Sequence, residues 1–172
     1  MGHEDVMRMD VHDDHMDVVT GRAKISMDRS RSSIRLPGRS RDALVMTDIE
    51  HNKQVVRGFC DLAFNDKRPA DAAQQFLGSE YIQHNPTAPD GPEGFVEFAG
   101  GFVAQAPELS LEIKRLIAEG DMVVAHSLLK VTPDEAGTVV VDIFRLEEGR
   151  IVEHWDVMQP FPETSVNDHP MF

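Results

Sequence analysis

The residue best suited to acid/base chemistry in this sequence is Asp142. It stands in the apolar stretch Val139-Val140-Val141-Asp142-Ile143-Phe144, where alternation predicts a β-strand with a buried face. An ionised carboxylate is costly to bury unless it is paired or hydrogen-bonded, so burial favours the neutral acid. A neutral Asp142 could donate a hydrogen bond to a carbonyl oxygen or an oxyanion. The alternative is a structural pair with Arg115 or His126.

A short polar segment, Tyr81-Ile82-Gln83-His84-Asn85-Pro86, supplies the second group of candidates. An imidazole titrates near neutral pH, so His84 is the candidate general base. The polar residues Tyr81, Gln83 and Asn85 stand just before a proline, as is typical of a rim segment that reaches into a cavity. Lone histidines are also common on surfaces and in cores, and that alternative applies to His84 and His126. No HxH or HxxxH spacing occurs after residue 47, so no metal site is predicted.

Four alternating segments predict the strands that carry Asp142 and its neighbours, separated by turns at Glu119-Gly120, Pro133 to Gly137 and Glu148-Gly149. They span residues 109–118, 122–132, 138–147 and 150–159. A two-residue turn at Glu148-Gly149 would place Asp142 opposite Trp155, and a five-residue loop 133–137 would place Leu128 opposite Asp142.

This register predicts one core face of the sheet, because side chains alternate between the two faces of a strand. Polar residues interrupt the apolar ones on that face and are therefore candidates for binding a ligand, together with the aromatic residues beside Asp142. The predicted members are Leu111, Ile113, Arg115, Ile117, Met122, Val124, His126, Leu128, Val140, Asp142, Phe144, Trp155, Val157 and Gln159.

The opposite face of strand 138–147 is also apolar in its middle. Val139, Val141 and Ile143 lie there in this register, with Arg145, His154 and Asp156 nearby. Soluble monomers rarely expose contiguous apolar patches of more than a few hundred Å². A homodimer that packs through the back of the sheet is the simplest way to cover this face.

Three helices precede the strands. The first begins at Thr47 or Asp48 with apolar positions at 3/4 spacing, the second runs from about Pro69 to Phe76, and the third begins at Asp90-Gly91-Pro92 and ends before Pro107. Three helices followed by four hairpin-linked strands predict an α+β domain over residues 47–172, with the helices on one face of the sheet.

Residues 1–46 are predicted to be a disordered extension, because neither an apolar 3.6 period nor an apolar 2.0 period is visible in them. Met46 stands just before the predicted first helix, so it is a candidate for the natural start. The extension is balanced in charge, and residues 47–172 therefore carry the whole formal charge of −13. An acidic domain repels phosphate backbones, so we do not expect this domain to bind nucleic acid.

Composition favours a cytoplasmic protein without a membrane partner. No apolar run reaches the ~20 residues that cross a bilayer, and no signal-like apolar segment occurs near the N-terminus. The single cysteine, Cys60, has no partner in the chain for a disulfide.

Several of these motifs together resemble SnoaL-like proteins of the nuclear transport factor 2-like superfamily, which includes polyketide cyclases and ketosteroid isomerase. The resemblance rests on residues 81–86, Asp90-Gly91, the stretch from Val141 to Asp156 and the ending Met171-Phe172, and it covers about residues 47–172. It implies a curved, cone-shaped antiparallel sheet of about four strands packed on the three helices, with a cavity between them.

The resemblance also suggests roles for individual residues. Asp142 matches the aspartate that, when protonated, helps to form the isomerase oxyanion hole. The isomerase's general-base aspartate falls at Asn85, which cannot act as a base, whereas the adjacent His84 could. Its oxyanion tyrosine falls near Phe59-Cys60, and the aspartate that cyclases carry shortly after the tryptophan falls near Gln159.

Two classes of function follow. The first is an enzyme without cofactor that does cyclase, aldol or isomerase chemistry alpha to a carbonyl, with His84 as base and Asp142 as acid or oxyanion donor. Its ligand would be a small apolar or carbonyl-containing metabolite, contacted by Tyr81, Gln83, Asn85, Arg115, His126, Phe144, Trp155 and Gln159. The second is a non-catalytic dimeric module that binds a ligand or another protein. The sequence does not identify the substrate.

Overall fold

A computed structural model describes the backbone of residues 10–12, 15–20, 23–28 and 41–172, and side chains from Asp48 onward. The chain divides into two units, Met1–Arg39 and Ser40–Phe172. In the first unit, strands β1 (Asp10–His12), β2 (His15–Thr20) and β3 (Ala23–Asp28) form a small antiparallel sheet in that order. Much of the predicted disordered extension lies outside the described residues, so that assignment stays a prediction.

The second unit contains the three predicted helices. Helix α1 (Arg41–Cys60) starts before Thr47, and a π-helical turn, Asp61–Asn65, extends it. In that turn the N–H of Asp66 donates to the carbonyl oxygen of Asp61 at 2.9 Å. Helix α2 (Pro69–Phe76) and helix α3 (Gly91–Gln105) each carry a proline in the first turn, where a missing N–H costs no hydrogen bond.

A five-stranded sheet packs on these helices and confirms the predicted α+β class. Its strands are β4 (Leu77–Gln83), β5 (Ser110–Glu119), β6 (Met122–Lys130), β7 (Thr138–Glu147) and β8 (Arg150–Pro160), in the order β4-β8-β7-β6-β5. The predicted strands β5 to β8 are antiparallel neighbours. Strand β4 was not predicted. It pairs parallel to β8, so the sheet is mixed and not purely antiparallel.

The predicted register is wrong at two places near Asp142. Glu147 does pair with Arg150, but Val152 forms a bulge in β8, so that Asp142 lies opposite Asp156 instead of Trp155. Between β6 and β7 the pairing ends at Leu129 and Thr138, because the connection is three residues longer than assumed. Asp142 therefore lies opposite Ala125, and not opposite Leu128.

The pairing is displaced by three residues in β6 and by one residue in β8 beyond the bulge. Because side chains alternate with a period of two, an odd displacement moves each of these residues to the other face of the sheet. The helix-facing side keeps the predicted Leu111, Val140, Asp142 and Phe144. It gains Val123, Ala125, Ser127, Leu129, His154 and Asp156. The outer face carries residues that were predicted for the core side, including Val124, His126, Leu128, Trp155 and Val157.

The core between helices and sheet is held by a chain of aromatic contacts. The ring of Phe59 in α1 lies 5.0 Å from that of Phe95 in α3 and 5.9 Å from that of Phe144 in β7. Tyr81 of β4 packs edge-on against Phe95 at 6.3 Å. Such pairs contribute about 0.5–1.5 kcal/mol each beyond the burial of their area. No helix in the described part of the chain has the length and hydropathy that crossing a membrane requires.

Candidate functional site

A cavity of about 250 Å³ lies between helices α1 and α3 and the helix-facing side of the sheet. Its wall is apolar and rich in phenylalanine, apart from a cluster of polar side chains from β4, β7, β8 and the loop after β4. The lining residues are Phe59, Cys60, Phe64, Tyr81, Gln83, Asn85, Thr87, Phe95, Phe98, Phe102, Leu111, Leu129, Val140, Asp142, Phe144, His154, Asp156 and Met158.

The strands bring the polar cluster together through their pairing. His154 and Asp156 are two residues apart on β8 and share one face, and Asp142 of β7 lies directly opposite Asp156. Gln83 of β4 pairs with His154 across the parallel ladder. Four polar side chains from three adjacent strands therefore meet at one end of the cavity.

The centre of the cluster is a hydrogen-bonded pair of His154 and Asp142. Nε2 of His154 lies 3.1 Å from Oδ1 of Asp142, and the two side chains are only 11% and 14% exposed. The imidazole also stacks on Phe144, with ring centroids 4.9 Å apart. The second oxygen of Asp142 has no hydrogen-bond partner among the described residues, so it is available to a ligand in the cavity.

Gln83 fixes the tautomer of His154. Oε1 of Gln83 receives the backbone N–H of Asn85 at 2.9 Å, which identifies that atom as the amide oxygen, since a backbone N–H can only donate. Nδ1 of His154 lies 3.0 Å from the same oxygen and must therefore carry a hydrogen. In neutral His154 the lone pair is then on Nε2 and faces Asp142. A hydrogen bond between them requires one proton that Asp142 and His154 share.

Asp156 is held by a second amide. Nδ2 of Asn85 donates to Oδ2 of Asp156 at 2.7 Å. The amide orientation is fixed here too, because Oδ1 of Asn85 receives the backbone N–H of Thr87 at 2.9 Å and its hydroxyl at 2.7 Å. Asn85, in the loop after β4, therefore has two roles. Its side chain positions the carboxyl group of Asp156, and its backbone N–H holds the Gln83 amide that in turn positions the imidazole of His154.

Tyr81 and Cys60 line the cavity in their neutral forms. The hydroxyl of Tyr81 accepts a hydrogen bond from Nε2 of Gln83 at 3.1 Å. Burial, followed by the charges of Asp142 and Asp156, raises the pKa of Tyr81 far above its ordinary value. Burial also raises the pKa of the Cys60 thiol, with a smaller contribution from Asp142. The hydroxyl of Tyr81 and the thiol of Cys60 therefore both keep their protons in the folded protein.

Five of the predicted site residues line the cavity: Tyr81, Gln83, Asn85, Asp142 and Phe144. The predicted base, His84, does not. Its Nε2 lies 2.9 Å from Oε1 of Glu153, and its ring stacks on Trp155 at 4.6 Å on the outer face of the sheet. His84 and Asp142 therefore do not converge on one cavity.

The other predicted binding residues also lie outside the cavity. Nη1 of Arg115 is 2.9 Å from Nδ1 of His126, and Phe172 packs on that imidazole with ring centroids 5.2 Å apart. Trp155 is on the outer face, and Gln159 is exposed beyond it. Each of these residues was assigned to the core face. The register shifts of β6 and β8 explain the error for His126, Trp155 and Gln159, and an irregularity between Ile113 and Arg115 in β5 explains it for Arg115.

His154 and Asp156 are the site residues that sequence reasoning missed. Their spacing in His154-Trp155-Asp156 already places both side chains on one face of a strand, which was the available signal. The bulge at Val152 decides that this face is the inner one. Asp142, His154 and Asp156 could also hold a metal ion, since each offers one ligand atom within 4.8 Å of the others.

Comparison with known proteins identifies the family. A family model described as a SnoaL-like domain matches residues 56–154. No functionally curated protein matches the sequence significantly. Among solved structures, TsrD from Streptomyces laurentii is 26% identical with a TM-score of 0.54, and the match covers 63% of this chain and 88% of TsrD.

More distant structures share the fold. A candidate polyketide cyclase from Bacillus cereus is 21% identical with a TM-score of 0.55, over 63% of this chain and 74% of the other. An LEH-like epoxide hydrolase of M. tuberculosis is 18% identical with a TM-score of 0.54, over 65% of this chain and 85% of the other. Since the family model spans more than half of the sequence, the chain belongs to the SnoaL-like family.

Proposed function

We propose that this protein is a cofactor-independent enzyme that exchanges a proton at the carbon alpha to a carbonyl group, as cyclase, aldol and isomerase reactions require. The observation that carries the proposal is the Asp142–His154 pair at the polar end of a cavity that is otherwise apolar. The assigned roles of the solved neighbours, which include a candidate polyketide cyclase, agree with small-molecule chemistry on this fold.

In the proposed step the second oxygen of Asp142 takes the proton from the alpha carbon. The C–H electron pair becomes the enolate, and the proton shared by Asp142 and His154 moves onto Nε2 of His154. The imidazolium that results balances the charge of the enolate. The hydroxyl of Tyr81 donates a hydrogen bond to the enolate oxygen. Return of the proton from Asp142 to a different carbon completes an isomerisation. In a ring closure the enolate carbon attacks a second carbonyl, the C=O π electrons move onto its oxygen, and that alkoxide takes the proton from Asp142. In both cases the proton on Nε2 of His154 returns to its shared position.

Hydrogen–deuterium exchange at the alpha carbon of 2-tetralone, followed by NMR in deuterated buffer, tests this proposal. The wild-type protein should accelerate the exchange, and Asp142→Asn should lower the rate by about 10²–10⁴-fold, the usual contribution of general acid/base catalysis. Glu119→Gln, an exposed acid at the far end of β5, is the matched control and should keep the rate. A rate equal to that of Asp142→Asn in the wild type would contradict the proposal.

We also propose that two copies associate through the outer face of the sheet. Ile117 and Val157 are exposed there, and Val141 and Ile143 are half-buried between them. Phe172 packs on His126 and covers part of the β5–β6 side, which leaves β7 and β8 for a partner. This arrangement would also serve a non-catalytic ligand-binding dimer, which is the alternative function.

A further inference from the structure

We infer that the cavity selects an uncharged, flat ligand of about two fused rings with a hydroxyl or carbonyl group at one end, and that it rejects anions of the same skeleton. This inference names the substrate class of the proposed enzyme and rests on that proposal for its link to catalysis. The preference itself follows from the size, the wall and the charges of the cavity.

The volume sets the number of rings. An apolar protein cavity of about 150 Å³ binds one benzene molecule. The cavity here has a volume of about 250 Å³, which leaves room for a second fused ring. A ligand with a long flexible chain would not use such a space well, since it would lose rotational freedom on binding.

The wall sets the shape of the ligand. Six phenylalanine side chains from α1, the π-helical turn, α3 and β7 form most of the apolar lining. Phe59 makes a tilted contact with Phe95 and an edge-on contact with Phe144, so these rings are fixed before a ligand enters. Flat aromatic compounds fit between fixed rings because they can stack on one ring and meet the edge of another.

The charges set the preference for neutral compounds. Two carboxyl groups, Asp142 and Asp156, face the cavity, whereas no lysine or arginine lines it in the part of the chain whose side chains are described. Among the described residues, His154 is the only basic group in the wall, and both of its nitrogens already have partners. A ligand carboxylate would lose its water without gaining an unpaired cationic partner, and it would meet the like charge of Asp156. Both effects are unfavourable.

Three cations of this unit are held outside the cavity. The ammonium group of Lys67 donates to the carbonyl oxygen of Phe64 at 2.6 Å. Arg145 pairs with Glu153 at 2.6 Å on the outer face, and Arg115 contacts His126. Beyond the cavity, the formal charge of −13 adds a long-range repulsion of anions.

The hydrogen-bonding groups at the polar end match a hydroxyl or keto group. A ligand hydroxyl can donate to the unpartnered oxygen of Asp142. A ligand carbonyl can accept from the hydroxyl of Tyr81, whose raised pKa keeps its proton in place. Neither contact needs a charge on the ligand.

Calorimetric titration with compounds of one skeleton tests the inference without turnover. We expect 2-naphthol and 2-tetralone to bind at least about tenfold more tightly than 2-naphthoate at neutral pH, a difference of about 1.4 kcal/mol. Equal or tighter binding of 2-naphthoate, or no binding of any of the three compounds, would overturn the inference.

A variant at the cavity mouth tests whether an added cation allows the cavity to bind the anion 2-naphthoate. Met158 lines the cavity and is 49% exposed, so Met158→Lys adds a cation at low cost to folding. It should strengthen 2-naphthoate binding by about fivefold. Gln159→Lys adds the same charge on the opposite face and should leave it unchanged. Equal effects of the two variants would show that net charge, not the cavity, sets the preference.

The two proposals can fail separately. If 2-naphthol binds selectively but 2-tetralone shows no accelerated deuterium exchange, the ligand class stands and the catalytic proposal fails. If exchange is accelerated and 2-naphthoate binds as well as 2-naphthol, the catalytic proposal stands and the ligand class fails.

Discussion

His154 and Gln83 form a hydrogen bond in which donor and acceptor are both defined. Oε1 of Gln83 lies 3.0 Å from Nδ1 of His154 and also receives the backbone N–H of Asn85. Gln83, which is not part of the Asp142–His154 pair, therefore orients the imidazole. In many functional histidines the hydrogen bond at one ring nitrogen likewise fixes the tautomer and leaves the other nitrogen to react.

This bond predicts the effect of changing Gln83. Gln83→Leu removes the acceptor, so we expect a mixture of His154 tautomers and a loss of about 10–100-fold in exchange rate, mostly in kcat. Gln83→Glu retains an acceptor and should recover part of the rate. Imidazole ¹⁵N NMR distinguishes a proton on Nδ1 from one on Nε2. A wild-type spectrum with the proton on Nε2 alone would contradict the assignment.

How far the sequence predicts this protein depends on the local signals. Pro69 and Gly91-Pro92 mark helix starts, and Glu148-Gly149 marks a tight turn, so those helices and the turn of the last hairpin were predicted correctly. The bulge at Val152 has no comparable local signal, because it follows from packing across strands. Asp142 was found because its own strand alternates clearly, whereas the face of His154 depends on that bulge.

Strand β4 illustrates a second limit. Leu77 and Tyr81 are its buried residues, but Gly78 and the polar residues between them give no regular alternation. Its pairing with β8 is parallel and comes from a distant part of the chain, which local patterns do not report. The segment 81–86 was therefore predicted from its polar composition alone. That composition did not predict that Gln83 faces the cavity while His84 faces the other side of the sheet.

Metal addition provides a second prediction. Asp142, His154 and Asp156 lie close enough to bind a divalent cation, yet the proposed step needs Nε2 of His154 free to take a proton. We therefore expect chelator treatment to leave the exchange rate unchanged and added Zn²⁺ to lower it several-fold. A loss of activity on chelation that Zn²⁺ restores would instead identify a metal-dependent enzyme.

Alkaline unfolding provides a third prediction, because Tyr81 is the only tyrosine in the chain. Its pKa is raised in the folded state, so above the ordinary value of 10.0 the unfolded state binds fewer protons than the folded state. Stability must then fall as the pH rises, by up to ~1.4 kcal/mol per pH unit from this group.

The phenolate absorbance of Tyr81 reports this transition directly. We expect it to appear together with the loss of circular dichroism, whereas in urea Tyr81 should titrate near its ordinary value. Cys60, whose thiol pKa is also raised by burial, should react with a thiol reagent only as the protein unfolds. A phenolate signal that appears well before unfolding would contradict the buried position of Tyr81.

The last prediction concerns the proposed dimer. Val141 lies in the middle of the outer face, on the strand that carries Asp142 to the other side. Val141→Glu places a charge where a partner would pack, so we expect light scattering to show a monomer and 2-naphthol binding to change by less than about threefold. Val166→Glu, at a fully exposed position in the C-terminal segment, is the matched control and should remain dimeric. A stable interface of this kind buries about 800 Å² or more on each partner, and dissociation should therefore be visible at micromolar concentration. If the unmodified protein is itself a monomer at that concentration, the outer face does not associate, and its exposed apolar residues need another explanation.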